Sequence, residues 1–170
     1  MMATLEPVPI DLETRIDADH HQAIKLWLRL LTCTNLVTTE IRSRLREDFD
    51  TTLPRFDLLA QLERHPDGLK MGELSRRMMV TSGNVTGITD QLEREGLVTR
   101  MVDPQDRRSF TVKLTKLGHR SFAEMARVHE GWVIEFFSGL SARDKTVLYG
   151  LLAKLKLHLN QPISNGEVLE

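Results

Sequence analysis

The sequence predicts a mainly α-helical fold that carries one small β-hairpin. Several segments space their apolar residues three or four positions apart, which is the period of an amphipathic helix. The segment 110–115 alternates apolar and polar residues instead, and a β-rich segment at 97–102 precedes it across a loop of turn-forming residues. With 170 residues, 41% of them hydrophobic and 28% charged, the chain is long enough to bury one core.

Composition and motifs exclude several classes of protein. No stretch approaches 18 uninterrupted apolar residues, so no membrane-spanning helix is expected. The first 20 residues carry five acids and no apolar core segment, so a signal peptide is not expected either. The single cysteine, Cys33, cannot form an internal disulfide, which is typical of a cytoplasmic protein. Glycine-rich phosphate loops and the HExxH and GxSxG motifs are absent, so we expect neither an enzyme nor a bound cofactor or metal.

The first 53 residues divide into an arm and a long helix. Residues 1–17 hold two prolines and many acids and are expected to form a flexible arm. Residues 18–53 contain a helix from Ala18 to about Glu47, without Gly or Pro. Its stripe comprises Ile24, Trp27, Leu31, Ile41 and Leu45. A helix of roughly 30 residues is about 45 Å long, more than a small domain covers, so a partner chain is expected.

Residues 54–115 predict a lobe of three shorter helices and the hairpin. Pro54 fits the first turn of a helix, because that position has no hydrogen bond to lose. Turn-forming residues at 65–68 end this helix, and a very short strand at 69–71 leads into a helix at 72–79.

The next helix begins at an N-cap and ends at a glycine. Thr81 and Ser82 are suitable N-cap residues, and Gly96 suits the position that follows a helix end. The inward face of this helix is predicted to consist of Val85, Ile88 and Leu92. The strands at 97–102 and 110–115 then form the hairpin.

Residues 116–160 predict two further helices, and residues 161–170 a frayed tail. Gly139 and Leu140 interrupt the helical pattern, and Ser141 caps the last helix. The apolar stripe of that helix comprises Val147, Leu148, Leu151, Leu152, Leu155 and Leu159.

The order helix, turn, helix, hairpin predicts a winged helix-turn-helix lobe. Six stretches of the sequence carry a more specific pattern: Gly72–Ser75, Val85–Thr86, Asp90–Val98, Asp103–Arg108, Leu114–Thr115 and Gly118. In these stretches the chain resembles the MarR (multiple antibiotic resistance regulator) family of transcription regulators. The resemblance covers about residues 18–160. It implies an obligate homodimer joined through residues 18–53 and 116–160, with two winged lobes on palindromic double-stranded DNA.

The helix that begins at Ser82 is the expected DNA-reading element. The net charge is −1, so DNA binding has to come from a local patch. The major groove admits an α-helix, and small polar residues let its backbone approach closely. The helix residues expected to contact DNA are Ser82, Gly83, Asn84, Thr86 and Gly87. Asp90 would repel phosphate, so we expect it to pair with a nearby basic residue.

The hairpin is the expected wing. The resemblance assigns Arg108 to the minor groove, where narrow A·T tracts attract arginine. Arg107 and Arg100 are expected to contact phosphates. Asp103 and Asp106 are expected to structure the wing, Asp103 by pairing with an arginine.

The resemblance also implies an effector crevice between the dimer helices and the winged lobe. Such crevices take aromatic carboxylates, phenolic compounds or coenzyme A thioesters. By position, the candidate lining residues are Trp27, Arg29, Phe56 and Asp57. A bound effector would release a repressor by holding the lobes at a spacing that does not match half-sites about 34 Å apart.

Two alternatives remain open at the level of the sequence. The near-neutral charge favours a winged-helix protein–protein interaction module, whereas the two wing arginines disfavour it. A redox- or metal-responsive regulator would use Cys33 or the histidines. Cys33 is expected to be an inert core residue, and His20, His21, His129 and His158 to be solvated or interface residues.

Overall fold

The computed structural model describes residues 22–102 and 110–161 of the chain. Within these ranges a mainly α-helical fold carries a small antiparallel sheet, so the predicted fold class is confirmed. The elements are α1 (Gln22–Phe49), α2 (Leu53–Glu63), β1 (Leu69–Lys70), α3 (Met71–Met78), α4 (Ser82–Arg94), β2 (Val98–Val102), β3 (Phe110–Leu114), α5 (Lys116–Phe136) and α6 (Ala142–Leu159). The predicted arm at 1–17 and residues 162–170 of the predicted tail lie outside the described residues.

The chain divides into two compact units, and α5 passes from one into the other. The first unit extends to Arg127 and the second begins at Val128. The core of the first unit is formed by α2, α3, α4 and the sheet, with one buried apolar side chain each from α1 and α5. Its buried apolar residues are Leu45, Phe56, Leu58, Leu59, Leu62, Leu69, Leu74, Val85, Leu92, Val98, Val112 and Met125. Because the buried face of α4 packs into this core, the position of its exposed face is fixed by that packing.

The sheet has the strand order β1-β3-β2, and neighbouring strands are antiparallel. Val112 of the central strand pairs with Leu69 on one side and with Arg100 on the other. Gly68 precedes β1 with a φ of 86°, and a Cβ at this position would lie 2.6 Å from the carbonyl oxygen of Val112. Both the positive φ and the lack of room for a Cβ atom therefore require glycine at this position. The predicted hairpin is confirmed, with β2 starting at Val98, one residue later than expected.

The inward face of α4 differs from the predicted one at one position. Val85 and Leu92 are fully buried, as predicted, but Ile88 is half-buried and Thr89 is buried in its place. The Thr89 hydroxyl donates to the carbonyl oxygen of Val85 at 2.7 Å, so it has a partner within its own helix. This hydrogen bond allows the polar side chain of Thr89 to be buried. Apolar periodicity alone does not predict a buried threonine.

The predicted apolar stripe of α1 is buried only at its C-terminal end. Leu45 is fully buried, whereas Ile24, Leu31 and Trp27 are exposed in the single chain, Trp27 to 61%. The helix ends at Phe49, two residues beyond the predicted end. The first part of α1 therefore presents large apolar side chains that its own unit does not cover.

The second unit begins within α5 and contains α6. The backbone N–H of Asp144 donates to the Ser141 hydroxyl at 3.2 Å, and the Asp144 carboxylate accepts from the backbone N–H of Ser141 at 3.1 Å. This capping box confirms Ser141 as the predicted cap. Every residue of α6 is exposed in the single chain, including the predicted apolar stripe from Val147 to Leu159.

Candidate nucleic-acid interface

A tight turn of three residues joins α3 to α4. Met79 adopts a left-handed conformation with a φ of 54°, and its backbone N–H donates to the carbonyl oxygen of Arg76 at 3.4 Å. The N–H of Val80 donates to the carbonyl oxygen of Ser75 at 3.2 Å, which closes the end of α3. Thr81 is the N-cap of α4, and its hydroxyl accepts from the N–H of Asn84 at 3.4 Å. The turn therefore begins α4 at the predicted place, Ser82.

The first turns of α4 carry small polar side chains that face solvent. The five residues predicted for this face, Ser82, Gly83, Asn84, Thr86 and Gly87, are all exposed. The Thr86 hydroxyl donates to the carbonyl oxygen of Ser82 at 2.9 Å, so its oxygen keeps its capacity to accept. The Ser75 hydroxyl lies 3.4 Å from that of Ser82 and links α3 to the start of α4.

Gly83 and Gly87 lie one helical turn apart on this exposed face. A Cβ built at either position would meet no atom within 4 Å, and neither residue has a positive φ. Internal packing and backbone conformation therefore do not require glycine here, although glycine in a helix interior costs about 0.5–1 kcal/mol relative to alanine. The described fold therefore gives no internal reason for glycine at either position.

A groove of about 330 Å³ separates the start of α2 from α4. Pro54 and Arg55 line it on one side, and Gly83, Gly87 and Gln91 line it on the other. The Arg55 guanidinium pairs with the carboxylate of Glu95, while its buried Nε has no hydrogen-bond partner among the described residues. Neither this groove nor the exposed Gln91 was predicted from the sequence, although position 91 follows Gly87 by one turn.

Arg100 has different partners from those expected. Its guanidinium donates to the carboxylates of Asp90 and Glu93 on α4, at 3.0 Å for Glu93. The predicted pairing of Asp90 with a basic residue is thus confirmed, with Arg100 as that residue. The prediction that Arg100 contacts phosphate does not fit these partners, because the two carboxylates already hold its guanidinium.

The comparisons with known proteins agree with this geometry. A family model described as MarR family matches residues 51–110. The transcriptional activatory protein BadR of Rhodopseudomonas palustris is 33% identical over 128 residues, which cover 72% of this chain and 73% of BadR. A MarR family transcriptional regulator from Silicibacter pomeroyi, known from a crystal structure, shares 31% identity with a TM-score of 0.71, covering 84% of this chain and 99% of that one.

The chain belongs to the MarR family. It is a winged-helix transcriptional regulator, and DNA binding comes with that membership. The HTH-type transcriptional regulator YkoM of Bacillus subtilis is 36% identical over 89 residues, which span 52% of this chain and 58% of YkoM. YkoM and BadR match different portions of the chain, and both are described as proteins that act in transcription.

The tip of the wing in this MarR chain lies outside the described residues. The structure describes β2 to Val102 and β3 from Phe110, and these two strands pair in antiparallel orientation. Asp103, Asp106, Arg107 and Arg108 fall in the interval between the two strands. Their expected roles therefore remain predictions.

The four residues predicted for the effector site occupy different environments in the MarR chain. Phe56 is buried, with its ring centroid 5.4 Å from that of Phe122. Partial burial of its carboxyl raises the pKa of Asp57, although Arg42 and Arg64 oppose this shift. Trp27 precedes Arg42 by 15 positions on α1, a distance of about 22 Å along the helix. Trp27 and Arg29 therefore do not lie beside Asp57 within one chain.

The candidate sensor residues of this MarR chain are only partly described. Cys33 is exposed, so its prediction as a core residue is wrong for the single chain, because α1 extends beyond the core that its unit provides. His20 and His21 lie outside the described residues. Among the described residues, no group of three or more His, Cys, Asp or Glu side chains is placed to hold a metal ion. None of the described helices is both long and apolar enough to cross a membrane.

Proposed function

We propose that this regulator is a homodimeric repressor that reads a palindromic operator with α4 and the wing and that a small aromatic acid or its coenzyme A thioester releases it. In this proposal α4 enters the major groove with its N-terminal turns, which carry Ser82, Asn84 and Thr86. The wing reaches the minor groove through Arg108, and Arg107 contacts a neighbouring phosphate. The protein acts by binding and not by catalysis.

The observation that carries the DNA-reading surface is the pair of glycines on α4. Gly83 and Gly87 have open space at the Cβ position and ordinary helical backbones, so the fold gains nothing from them. DNA packed against this face accounts for the missing side chains, because each methyl group would separate the two surfaces. The exposed hydroxyl and amide groups beside the glycines supply hydrogen bonds to base edges and phosphates.

The test is the substitution Gly87→Ala, which should affect stability and DNA binding in opposite directions. Alanine should stabilise the folded chain by about 0.5–1 kcal/mol, because it favours the helix and meets no neighbour. Operator affinity should fall by on the order of tenfold, because the added methyl group holds the DNA away from α4. Urea unfolding and a fluorescence titration of operator DNA measure the two effects.

Gly131→Ala is the matched control. Gly131 lies on α5, is exposed and also has no atom within 4 Å of a Cβ position. This variant should gain similar stability and keep the operator affinity of the unmodified protein. Unchanged affinity in Gly87→Ala would remove this face of α4 from the DNA interface.

The homodimer is supported by the apolar surface that the single chain leaves exposed. On α6, Leu148, Leu151 and Leu155 are exposed along one stripe, and Trp27 and Leu31 are exposed on α1. Monomeric proteins rarely leave contiguous apolar surfaces of this extent in contact with water. In the proposal, a second copy of the chain covers both helices.

The groove between α2 and α4 is the proposed effector site. Its volume of about 330 Å³ is within the range of small-molecule sites. Arg55 lines the groove, and its guanidinium supplies the positive charge that a carboxylate or phosphate group would bind there. Gly83 and Gly87 line the same groove, so a ligand there lies directly beside the proposed DNA-reading face. Trp27 and Arg29 take part only if the partner chain brings them to this groove.

A thermal-shift screen tests the effector. A benzoic acid or an aromatic acyl thioester at 100 times its dissociation constant should add about 2.7 kcal/mol to the stability of the free protein. The same compound should weaken operator binding, and Arg55→Gln should remove both responses. If compounds of neither class act while an oxidant or a metal ion does, the groove is not the sensor, and Cys33 and the histidines become the candidates.

Activation of transcription is the second candidate, because the relative BadR is described as a transcriptional activatory protein. A reporter gene under the operator distinguishes the two. Deleting the regulator raises expression if it is a repressor and lowers expression if it is an activator. A protein–protein module without DNA affinity would lack the steep salt dependence of duplex binding that phosphate contacts produce.

A further inference from the structure

We propose that Arg100 is a positioning residue, which fixes the β2–β3 hairpin against α4 and does not itself contact the DNA. The proposal rests on the proposed function, because it concerns the hairpin that carries the wing. Arg100 lies at the centre of β2, and 23% of its side chain is exposed. Nη1 donates to Oε2 of Glu93 at 3.0 Å, and Nη2 donates to the carboxylate of Asp90.

The two carboxylates need this guanidinium between them. Asp90 and Glu93 are three positions apart and lie on the same flank of α4, where like charges repel each other. The planar guanidinium reaches both acids at once with separate N–H groups. A lysine ammonium is a compact point charge on a flexible stem and does not reproduce this bridge.

Glu93 also holds the backbone of the strand. Its second oxygen, Oε1, accepts from the backbone N–H of Arg100 at 3.0 Å. In the described sheet β2 pairs with β3 on one side and has an open edge on the other. Glu93 satisfies an edge N–H that would otherwise be available to another strand. One carboxylate thus ties both the side chain and the backbone of Arg100 to α4.

This double attachment determines where the wing leaves the lobe. Val102, the last described residue of β2, is two positions beyond Arg100, or about 7 Å along the strand. The orientation of β2 at Arg100 therefore sets the direction in which the chain leaves the described strand at Val102. A contact of Arg100 with phosphate would instead require its guanidinium to leave two carboxylates.

Two substitutions separate positioning from phosphate contact, Arg100→Lys by the size of its effect on operator affinity and Glu93→Gln by the sign. Arg100→Lys keeps the positive charge, so a phosphate-contacting residue would tolerate it, whereas positioning predicts a roughly tenfold loss of operator affinity. Glu93→Gln removes a negative charge beside the DNA, so electrostatics alone predicts tighter binding. Positioning predicts weaker binding, because glutamine places an NH2 donor where one of the two carboxylate oxygens now accepts from Arg100. Glu73→Gln, at an acid of α3 that contacts Arg76 and not β2, is the control for charge removal.

A double-mutant cycle locates the effect in the wing. If the attachment acts through the wing tip, Glu93→Gln should have little further effect on affinity in an Arg108→Ala background. Additive losses would show that the attachment acts elsewhere and would overturn the proposal. So would retained affinity in Arg100→Lys together with tighter binding by Glu93→Gln.

Hydrogen exchange tests the attachment without DNA. In Glu93→Ala the amide of Arg100 should exchange at least tenfold faster, while amides in α2 keep their protection. Unchanged exchange at Arg100 would overturn the proposal. If no variant binds any DNA while Arg100 exchanges faster as expected, the proposed function fails and the attachment itself stands. Should Glu93→Gln not fold, Asp90→Asn replaces it in the affinity measurements, since it removes the other carboxylate.

Discussion

His129 is a single residue whose protonation is coupled to folding. Its ring lies edge-on to that of Trp132, with the centroids 6.1 Å apart, and burial lowers the pKa of His129 below 6.5. The unfolded chain therefore binds a proton at this site more readily than the folded protein does. The resulting stability is present above about pH 6.5 and is lost as the pH falls toward the pKa of the folded state.

At the residue scale we therefore expect His129→Gln to flatten the dependence of stability on pH. Urea midpoints should fall between about pH 8 and about pH 5.5 in the unmodified protein, and fall less in the variant, because glutamine does not titrate. At about pH 8 the imidazole is neutral in both states, so the difference between the proteins there measures packing alone. If the urea midpoints of the two proteins fell equally with pH, His129 would not be the residue whose protonation is coupled to folding.

At the scale of elements, the turn before α4 uses an unfavourable residue. Met79 has a φ of 54° and is 93% exposed, so it adopts a left-handed conformation without burying its side chain. This conformation costs an L-residue roughly 1–2 kcal/mol, and glycine avoids the cost. Helices commonly place glycine at this position for that reason.

Met79→Gly should therefore stabilise the first unit, by about 1 kcal/mol after the extra freedom of glycine in the unfolded chain is counted. Met78→Gly, one position earlier, should destabilise it, because Met78 is half-buried and lies within α3. Thermal unfolding of the two variants measures the difference. A loss of stability in Met79→Gly would mean that the exposed methionine has a packing partner in the dimer.

The elements were largely predictable because their signals are local. Ser141 as a cap, Gly96 after α4 and the alternation at 110–115 each report on neighbouring residues, and each was found where expected. The partners of Arg100 were not predictable, because they depend on how β2 packs against α4, ten residues earlier in the chain. Thr89 was missed for a related reason, since its burial depends on a hydroxyl that bonds within the helix.

At the scale of the whole molecule, the exposed stripe on α6 predicts an interface of more than about 2,000 Å² with a second chain. Leu155→Glu should convert the protein to a monomer or unfold it, because a carboxylate would be buried without a partner. Tyr149→Glu is the control, because Tyr149 lies on the same helix outside the predicted stripe and is 79% exposed. Light scattering distinguishes the outcomes, and a Leu155→Glu protein that remains dimeric would exclude this stripe from the interface.

The two glycines of α4 have a thermodynamic consequence for recognition. Gly87, in the interior of this helix of 13 residues, reduces intrinsic helix stability by about 1 kcal/mol relative to alanine, and Gly83 in the first turn adds a smaller amount. The N-terminal turns of α4 should therefore open more often than the core that supports them. Binding to DNA then includes a step of local ordering, so calorimetry should find a more negative heat capacity change than rigid docking of the same surface would give. In the Gly87→Ala protein this excess heat capacity change should shrink, because the helix is already formed before the DNA arrives.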